Sequence, residues 1–304
     1  MTRRGVFVGL ATVDVIYNVI EFPSGNCKSV AQSQEILPGG PATNAAITFS
    51  FLGGEATLAA PVGRHPLASL VREECRRYGV ALIDLAPDTD EIPPVSSVWV
   101  DRKGQRGVVS VNSTRTAVQR CEVDPSNLSE TSVLLIDGHA MKASLAWSTA
   151  ARSAGVRVVF DGGSWKPETE TLLKSVDTAI CSADFLPPGC TREDEVIQFL
   201  RACGVANVAI THGADPVRFV SGDSTGSIDV PRLEAVDTMG AGDIFHGAFC
   251  FYVSEGCAFE DALAKAAKIA SESCRYRGTR RWMEHQPDRL GASRNPQQPS
   301  IPLR

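Results

Sequence analysis

The sequence predicts an α/β protein with a mainly parallel central sheet and helices on both of its faces. From about Thr131 onward, short apolar runs alternate with longer amphipathic ones, as is typical of strands connected by helices. The chain has 304 residues, of which 43% are hydrophobic, so one large core suffices and a second full domain is not needed. Ligands of such sheets gather at the carboxyl ends of the strands.

The predicted elements follow one another in regular order. Residues 8–14 form an apolar, strand-like opening that ends in an acid, and residues 42–52 form a helix. The later strands are predicted at 132–136, 156–160, 179–181 and 208–211, and the later helices at 142–154, 167–173, 193–202 and 240–253. Residues 15–36 and about 95–111 are strand-like but lie outside this alternation, so they are predicted to form a separate small sheet.

The most informative motif is the glycine-rich turn Asp237-Thr238-Met239-Gly240-Ala241-Gly242-Asp243. Small residues let a ligand approach the backbone closely, and the free N–H groups of a first helical turn attract an anion. A carboxylate there would repel phosphate unless it accepted a proton from a hydroxyl group that attacks phosphorus. The motif therefore indicates kinase chemistry, the alternative being a glycine-rich turn that is merely capped by an acid.

The motif resembles the second signature of the pfkB (ribokinase-like) family of carbohydrate kinases, and Gly39-Gly40-Pro41-Ala42-Thr43-Asn44 resembles the first. The resemblance implies a ribokinase-like three-layer α/β/α sandwich over residues 1–284, with a β-sheet lid from about 15–36 and 95–111. It implies that Asp243 is the catalytic base, with ATP and Mg²⁺ as cofactors. The implied anion hole consists of the amides of Gly240, Ala241 and Gly242. The nucleotide-binding residues that the resemblance implies are Thr211, Gly213, Gly240 and Gly242.

A second set of residues is assigned to the sugar. Paired glycines allow a sugar ring to lie against bare backbone, and an Asn side chain offers both a donor and an acceptor to hydroxyl groups. The resemblance implies that Asp14 accepts hydrogen bonds from sugar hydroxyls and that Arg106 contacts the substrate or the transferred phosphate, the alternative for Arg106 being an ordinary exposed turn. The substrate-binding set is Asp14, Lys28, Gly39, Gly40, Asn44 and Arg106.

The chain departs from the family where Asn-x-x-Glu is usual, because it reads Ser182-Ala183-Asp184-Phe185. Two arrangements remain open for Mg²⁺: Asp184 acts through water, or the nucleotide's own oxygens hold the ion, which commonly keeps several waters. The resemblance also implies a monovalent cation, potassium, near Asp237.

Three functions remain open at this level. The first is an ATP-dependent sugar kinase, with a fructose-like ketose as the leading substrate and an acidic or phosphorylated sugar as the second choice. The second is a nucleoside kinase of the same fold, for which Tyr17 and Phe22 would supply an aromatic surface. The third is a catalytically weakened sugar-binding regulatory protein, which the intact Asp243 disfavours because a pure binder needs no base at an anion site.

Composition excludes several other classes. The formal charge of −5 disfavours a nucleic-acid binder, and a solvated helix end accounts for the basic cluster Arg275, Arg277, Arg280 and Arg281. Nine scattered cysteines without a C-x-x-C pair predict reduced thiols rather than a zinc site or disulfides.

The sequence also leads to expectations about the location and the assembly of the protein. No apolar run is long enough to span a membrane, so a cytoplasmic protein without membrane or nucleic-acid partners is expected. The tail 285–304 is rich in Pro, Gln, Ser and Arg and is predicted to be mobile. The resemblance implies a homodimer formed through the lid.

Overall fold

A nine-stranded sheet forms the centre of the computed structural model, which describes residues 3–102, 105–111 and 118–286. Its strands are β1 (Arg4–Val8), β4 (Glu55–Ala60), β5 (Ala81–Asp84), β8 (Thr131–Ile136), β9 (Arg157–Gly162), β10 (Thr178–Ser182), β11 (Asn207–His212), β12 (Asp215–Ser221) and β13 (Ser224–Ile228). Their order is β13-β12-β11-β10-β9-β8-β1-β4-β5. Neighbours from β11 to β5 are parallel, and β12 and β13 extend one edge as antiparallel strands.

Helices cover both faces of this sheet, so the predicted three-layer sandwich is confirmed. The helices are α1 (Pro41–Phe51), α2 (Ala68–Arg77), α3 (Met141–Ser153), α4 (Thr169–Leu173), α5 (Glu193–Ala202), α6 (Ala241–Ser254), α7 (Phe259–Ser273) and α8 (Arg281–Glu284). Successive strand residues point to opposite faces, and β1 shows the result. Phe7 packs into the core shared with α1, α6 and α7, whereas Val6 and Val8 pack into the core shared with α3, α4 and α5.

A separate four-stranded sheet, called the lid below, has the order β3-β2-β6-β7. Its strands are β2 (Thr12–Asn18), β3 (Ser33–Gly39), β6 (Val95–Val100) and β7 (Arg106–Ser110). Asp14, Ile16, Val98 and Arg106 occupy the face that lies against the rest of the molecule, because Ile16 and Val98 are buried there together with Met239. The prediction of a second small sheet is therefore confirmed.

One predicted element is wrong in its organisation. Residues 8–14 do not form one strand, because β1 ends at Val8 and β2 begins at Thr12 in the other sheet. The chain changes sheets at Gly9, where a Cβ atom would overlap the Asp137 carboxylate. That carboxylate accepts a hydrogen bond from the amide of Leu10 at 2.8 Å. Asp14 therefore belongs to the lid and not to the end of a core strand.

Most other predicted boundaries agree with the structure. The helix predicted at 193–202 is α5 without change, and those predicted at 42–52 and 240–253 are α1 and α6 shifted by one residue. The stretch 15–36 holds the end of β2, an irregular and largely exposed loop at 19–32, and the start of β3. The predicted mobile tail lies outside the described residues from 287 onward.

Within the described part of the chain, no helix is both long and apolar enough to cross a bilayer.

Candidate active site

The glycine-rich turn leads directly into the first turn of α6. Gly240 is the residue that precedes the helix, and its φ of 66° lies in the left-handed region that favours glycine. A Cβ atom on Gly240 would lie 2.6 Å from Cγ2 of Thr279. The amide of Ala241 donates to the Thr238 carbonyl at 3.3 Å, whereas the next amide, that of Gly242, has no intrahelical acceptor at this position. The turn at 237–243 can therefore present a donor, and the positive end of the helix dipole, to an anion. It is called the anion-binding turn below.

Asp243 lies in the same turn, partly buried, and its carboxylate is held from the side by Asn44. The Asn44 Nδ2 group donates to Asp243 Oδ2 at 2.6 Å. Burial, followed by the negative charge of Asp161, raises the pKa of Asp243 to about 7, while the hydrogen bond from Asn44 and the charge of His246 act in the opposite direction. A carboxylate with such a pKa can accept a proton from a hydroxyl group near neutral pH.

Two buried acids that the sequence analysis missed surround this turn. Asp137 follows β8 and accepts hydrogen bonds from the amides of Leu10, Ala42 and His139 at 2.8, 3.2 and 2.9 Å. It thereby ties the start of α1 to the central sheet. A signal for it was present, because an acid follows directly on the apolar run 133–136 at the carboxyl end of a parallel strand.

Asp161 is the second of these acids and is paired with a histidine. Its Oδ2 lies 3.5 Å from Nδ1 of His246, and burial raises the pKa of the Asp161 carboxyl. The His246 ring nitrogens lie 2.7 Å from the Gly242 carbonyl and 3.1 Å from the Ile180 carbonyl. The His246 ring thus lies between the Asp161 carboxylate and the Gly242 carbonyl of the anion-binding turn.

The lid contributes the predicted sugar-binding carboxylate. Asp14 is only 7% exposed, accepts a hydrogen bond from Thr12 Oγ1 at 2.9 Å, and has its pKa raised by burial. The structure brings it against Gly39, where a Cβ atom would overlap Oδ2 of Asp14. Gly40 has a φ of 99°, and a Cβ atom there would overlap the Leu10 carbonyl. The space left by both glycines is thus used by the protein's own chain.

Arg280 was missed as a site residue, and its assignment to a solvated helix end is wrong. Its guanidinium is buried and donates to Oδ1 of Asn44 at 2.9 Å and to Oε1 of Glu74 at 2.9 Å. The other three arginines of the cluster are exposed as predicted. No sequence signal distinguishes Arg280 from its neighbours, because its partners lie more than 200 positions away in the chain.

Of the remaining predicted sugar contacts, Arg106 is tied to the site by a hydrogen bond, whereas Lys28 is not. Arg106 of β7 donates from Nη2 to the Thr238 hydroxyl at 3.0 Å, so a lid guanidinium lies at the anion-binding turn. Lys28 lies in the exposed loop between β2 and β3, and among the described residues no hydrogen bond or ion pair holds it near Asp243.

The predicted nucleotide loop joins β11 to β12. Thr211 donates from Oγ1 to the Cys181 carbonyl at 3.3 Å, and Gly213 turns the chain with a φ of 65° and open space around it. Phe185, which stands where the family usually has Glu, is buried with its ring centroid 5.8 Å from that of Phe160 and 5.7 Å from that of Trp165. Asp184 is exposed. The usual acidic position has therefore become part of the apolar core.

Metal-binding groups are sparse. Across residues 3–102, 105–111 and 118–286, no three or more His, Cys, Asp or Glu side chains are arranged to hold an ion. Asp237 accepts hydrogen bonds from the amides of Met239 and Gly278 at 2.9 and 2.8 Å. It thus joins the anion-binding turn to the segment between α7 and α8.

An acceptor carboxylate beside the amides of a helix N-terminus is the arrangement that phosphoryl transfer to a hydroxyl group needs, and comparison with known proteins agrees. The model of the pfkB family carbohydrate kinases matches residues 3–286. The chain therefore belongs to this family, whose members are phosphotransferases with an alcohol group as acceptor.

Individual relatives are more distant. The chain is 28% identical to the aminoimidazole riboside kinase of Salmonella typhimurium over 78% of this chain and 80% of that protein. It is 25% identical to the probable fructokinase-5 of Arabidopsis thaliana over 76% and 79% of the two chains. The structure of Arabidopsis thaliana ribokinase complexed with ribose and ATP superimposes with a TM-score of 0.74 at 20% identity, covering 96% of this chain and 100% of that one, and this likeness confirms the ribokinase-like fold.

Proposed function

We propose that this protein is an ATP-dependent sugar kinase that phosphorylates a hydroxyl group of a small carbohydrate, with a fructose-like ketose as the leading substrate. The observation that carries the proposal is the position of the Asp243 carboxylate, held by Asn44 within the same helical turn whose Gly242 amide has no intrahelical acceptor and can face an anion. A base and an anion-binding site in one turn serve attack on phosphorus and little else.

In the proposed reaction, the attacking hydroxyl oxygen forms a bond to the γ-phosphorus as the bond from phosphorus to the bridging oxygen of ADP breaks. An Asp243 oxygen accepts the hydroxyl proton. The amides of Gly240, Ala241 and Gly242 are proposed to donate to the equatorial phosphoryl oxygens, which requires Ala241 to release its 3.3 Å contact with the Thr238 carbonyl. The Arg106 guanidinium, which already lies at Thr238, adds positive charge from the lid side.

The sugar is proposed to lie between the lid and α1. Asp14 is a buried carboxylate on the inward face of the lid, and a carboxylate suits two neighbouring hydroxyl donors. Asn44 is proposed to complete the hydroxyl-binding set next to the base. Gly39 and Gly40 are proposed to contribute backbone groups only, because Asp14 and the Leu10 carbonyl take up the space beside their Cα atoms. Lys28 is proposed to meet an anionic group of the substrate from the loop at 19–32.

The aromatic residues of the lid favour a sugar over a nucleoside. Tyr17 alternates with Asp14 and Ile16 along β2, so it points to the outer face of the lid. A Cβ atom on Gly107, which pairs with Trp99, would lie 3.7 Å from both the Phe22 and Trp99 rings, so Phe22 lies on that outer face too. Neither ring is on the side of Asp14, where a nucleoside base would need to stack.

ATP is proposed to bind along the edge formed by Thr211, Gly213, Gly240 and Gly242. Open space beside Gly213 and Gly242 leaves room for phosphate groups close to the backbone. Mg²⁺, bound chiefly to the nucleotide's oxygens, would neutralise phosphate charge. Asp184, an exposed carboxylate, is proposed to act on the ion through its water shell.

Asp237 is proposed to assist a potassium ion near the same turn. Each of its oxygens accepts one backbone amide and keeps a second lone pair, which fits a weak contact to a large monovalent ion. Through these two hydrogen bonds Asp237 also connects Met239 to Gly278, and this structural role needs no ion.

The proposal is tested by measuring ADP formation from Mg·ATP with a panel of ketoses, aldoses, acidic sugars and nucleosides. Fastest turnover on a ketohexose supports the function as stated. Turnover on nucleosides alone would establish the second function of the same fold, and sugar binding by calorimetry without ADP formation would establish the regulatory one.

A further inference from the structure

Arg280 connects the proposed base to three separate parts of the molecule. It is 5% exposed and donates from Nη1 to Oδ1 of Asn44 on α1, from Nε to Oε1 of Glu74 on α2, and from Nη2 to the Pro38 carbonyl of β3 at 3.2 Å. Asn44 in turn donates from Nδ2 to Asp243. The chain of contacts from Arg280 to Asp243 thus passes through a single amide group.

The direction of that amide affects how readily Asp243 ionises. The two ends of an Asn side chain have nearly the same shape, so packing alone does not select between them. A guanidinium only donates, so it selects the orientation with Oδ1 toward itself and Nδ2 toward Asp243. In the reverse orientation, Oδ1 would face the Asp243 carboxylate, and two acceptors in contact would require a proton between them.

We propose that Arg280 is a positioning residue that fixes the Asn44 amide with its NH₂ end toward Asp243 and so favours the ionised form of this base, which can accept a proton. The inference rests on the proposed function for its consequence in catalysis, but the orientation itself rests on hydrogen bonds alone.

The surrounding charges show why the amide matters more than the charge of Arg280. Asp243 is faced by Asp161 from β9, by His246 from α6 and, further away, by Asp137 after β8. Arg280 is faced by Glu74 from α2, by Asp14 from β2 and by the Tyr78 ring, whose centroid is 5.8 Å away. Glu74 compensates the guanidinium charge at 2.9 Å, so little positive charge remains to act on Asp243 through space. The donated hydrogen bonds carry the effect.

The same guanidinium also contacts the lid. Pro38, whose carbonyl accepts from Nη2 of Arg280, immediately precedes Gly39, which packs on Asp14. The neighbouring Arg281 forms an ion pair with Glu35 of β3. Arg280 therefore aligns the base only while β3 is seated against the body of the molecule, so the two parts of the site are positioned together.

The test is a ¹³C NMR titration of the Asp243 side-chain carboxyl, assigned by its disappearance in Asp243→Asn. The reference variant is Glu74→Gln, which keeps an acceptor for Nε of Arg280. The test variant is Glu74→Gln with Arg280→Met, which removes the donor to Asn44 without leaving a buried unpaired carboxylate. We expect the midpoint of Asp243 to rise by about one pH unit or more between the two, because a charge-assisted hydrogen bond is lost.

A second variant and a kinetic measurement provide independent checks of this titration. Arg280→Lys keeps a counter-charge for Glu74 and a group that only donates but loses the forked geometry, so a smaller upward shift than that of the Arg280→Met variant is expected. The acid limb of kcat against pH should move upward by the same amount while the KM for ATP stays unchanged. A merely structural role would lower the folded fraction in thermal unfolding without moving either midpoint.

Equal titration midpoints of the Asp243 carboxyl in the folded reference variant and the folded test variant would overturn the inference. The titration needs no substrate, so it tests the role of Arg280 independently of the sugar panel. If no sugar in the panel yields ADP, that result overturns the proposed function but not the role of Arg280.

Discussion

At the scale of single residues, the site combines one carboxylate that is costly to ionise with neighbours that make ionisation possible. Burial and Asp161 raise the pKa of Asp243, and Asn44 lowers it. The balance near 7 is suited to a base that must take up a proton during the reaction and release it afterwards.

Replacing Asp243 by Asn is expected to lower kcat by about 10²- to 10⁴-fold, the usual effect of losing a general base, while sugar affinity measured by calorimetry changes little. In the intact enzyme, kcat should rise with pH through a midpoint near 7, because only the ionised carboxylate accepts the proton. A variant with full turnover on the best substrate would show that another group is the base.

The same substitution should also change stability in a pH-dependent way. The folded-state pKa of Asp243 is raised to about 7 from an ordinary value near 4, so stability that is present below about pH 4 is lost as the pH rises through 7. Asn stays neutral, so Asp243→Asn should be more stable than the wild type by roughly 2–4 kcal/mol at pH 8 and of similar stability at pH 4. Chemical denaturation at the two pH values measures the difference, and an equal gain at both would exclude the titration as its cause.

Asp14 should act on sugar affinity rather than on the chemical step. Its carboxylate lies on the inward face of the lid, and loss of hydrogen bonds to a charged acceptor costs about 1.5–3 kcal/mol. Asp14→Ala is therefore expected to weaken sugar binding by about ten- to a hundredfold. Calorimetry with the best sugar decides, and unchanged affinity would leave Asp14 with a structural role only.

At the scale of elements, the site depends on how closely α1 and α6 approach. Gly247 on α6 faces α1, and a Cβ atom there would overlap the Ala45 carbonyl and lie 2.8 Å from Cβ of Thr48. Ala45 follows Asn44 directly, so this close contact is what brings the Asn44 amide within 2.6 Å of Asp243.

Gly247→Val should separate the two helices and misalign the base. Overpacking of this kind costs about 1–3 kcal/mol, and a lower kcat is expected because the Asn44 amide moves away from Asp243. Thermal unfolding and steady-state kinetics measure both effects. Gly25→Ala, at a position with open space around it, is the matched control, and an equally active Gly247→Val enzyme would contradict the packing argument.

At the scale of the whole molecule, the lid has a second face that does not contact the body. Ile36 and Val109 lie on that outer face in one cross-strand row with Val15 and Ser97, and their side chains are 50% and 61% exposed. An apolar row on an exposed sheet favours association with another copy of the same surface, which supports the proposed homodimer through the lid.

Val109→Glu is accordingly expected to convert a dimer into a monomer in sedimentation equilibrium, because two carboxylates would meet across the two-fold axis. Leu186→Glu is the control, since Leu186 is 47% exposed and follows β10, away from the lid. A wild-type protein that sediments as a monomer, or a Val109→Glu protein that remains dimeric, would exclude this interface.

The sequence by itself determined the alternation of strands and helices, the second sheet and the turn that carries Asp243. These features depend on side-chain periodicity and on local backbone preferences, which neighbouring residues display directly. The position of Asp14 in the lid, the burial of Phe185 and the role of Arg280 were decided by the tertiary structure alone. The reason is physical: Asn44 meets Asp243 across 199 positions and Arg280 across 236, and whether a charged side chain is solvated or buried depends on distant partners that no local pattern reveals.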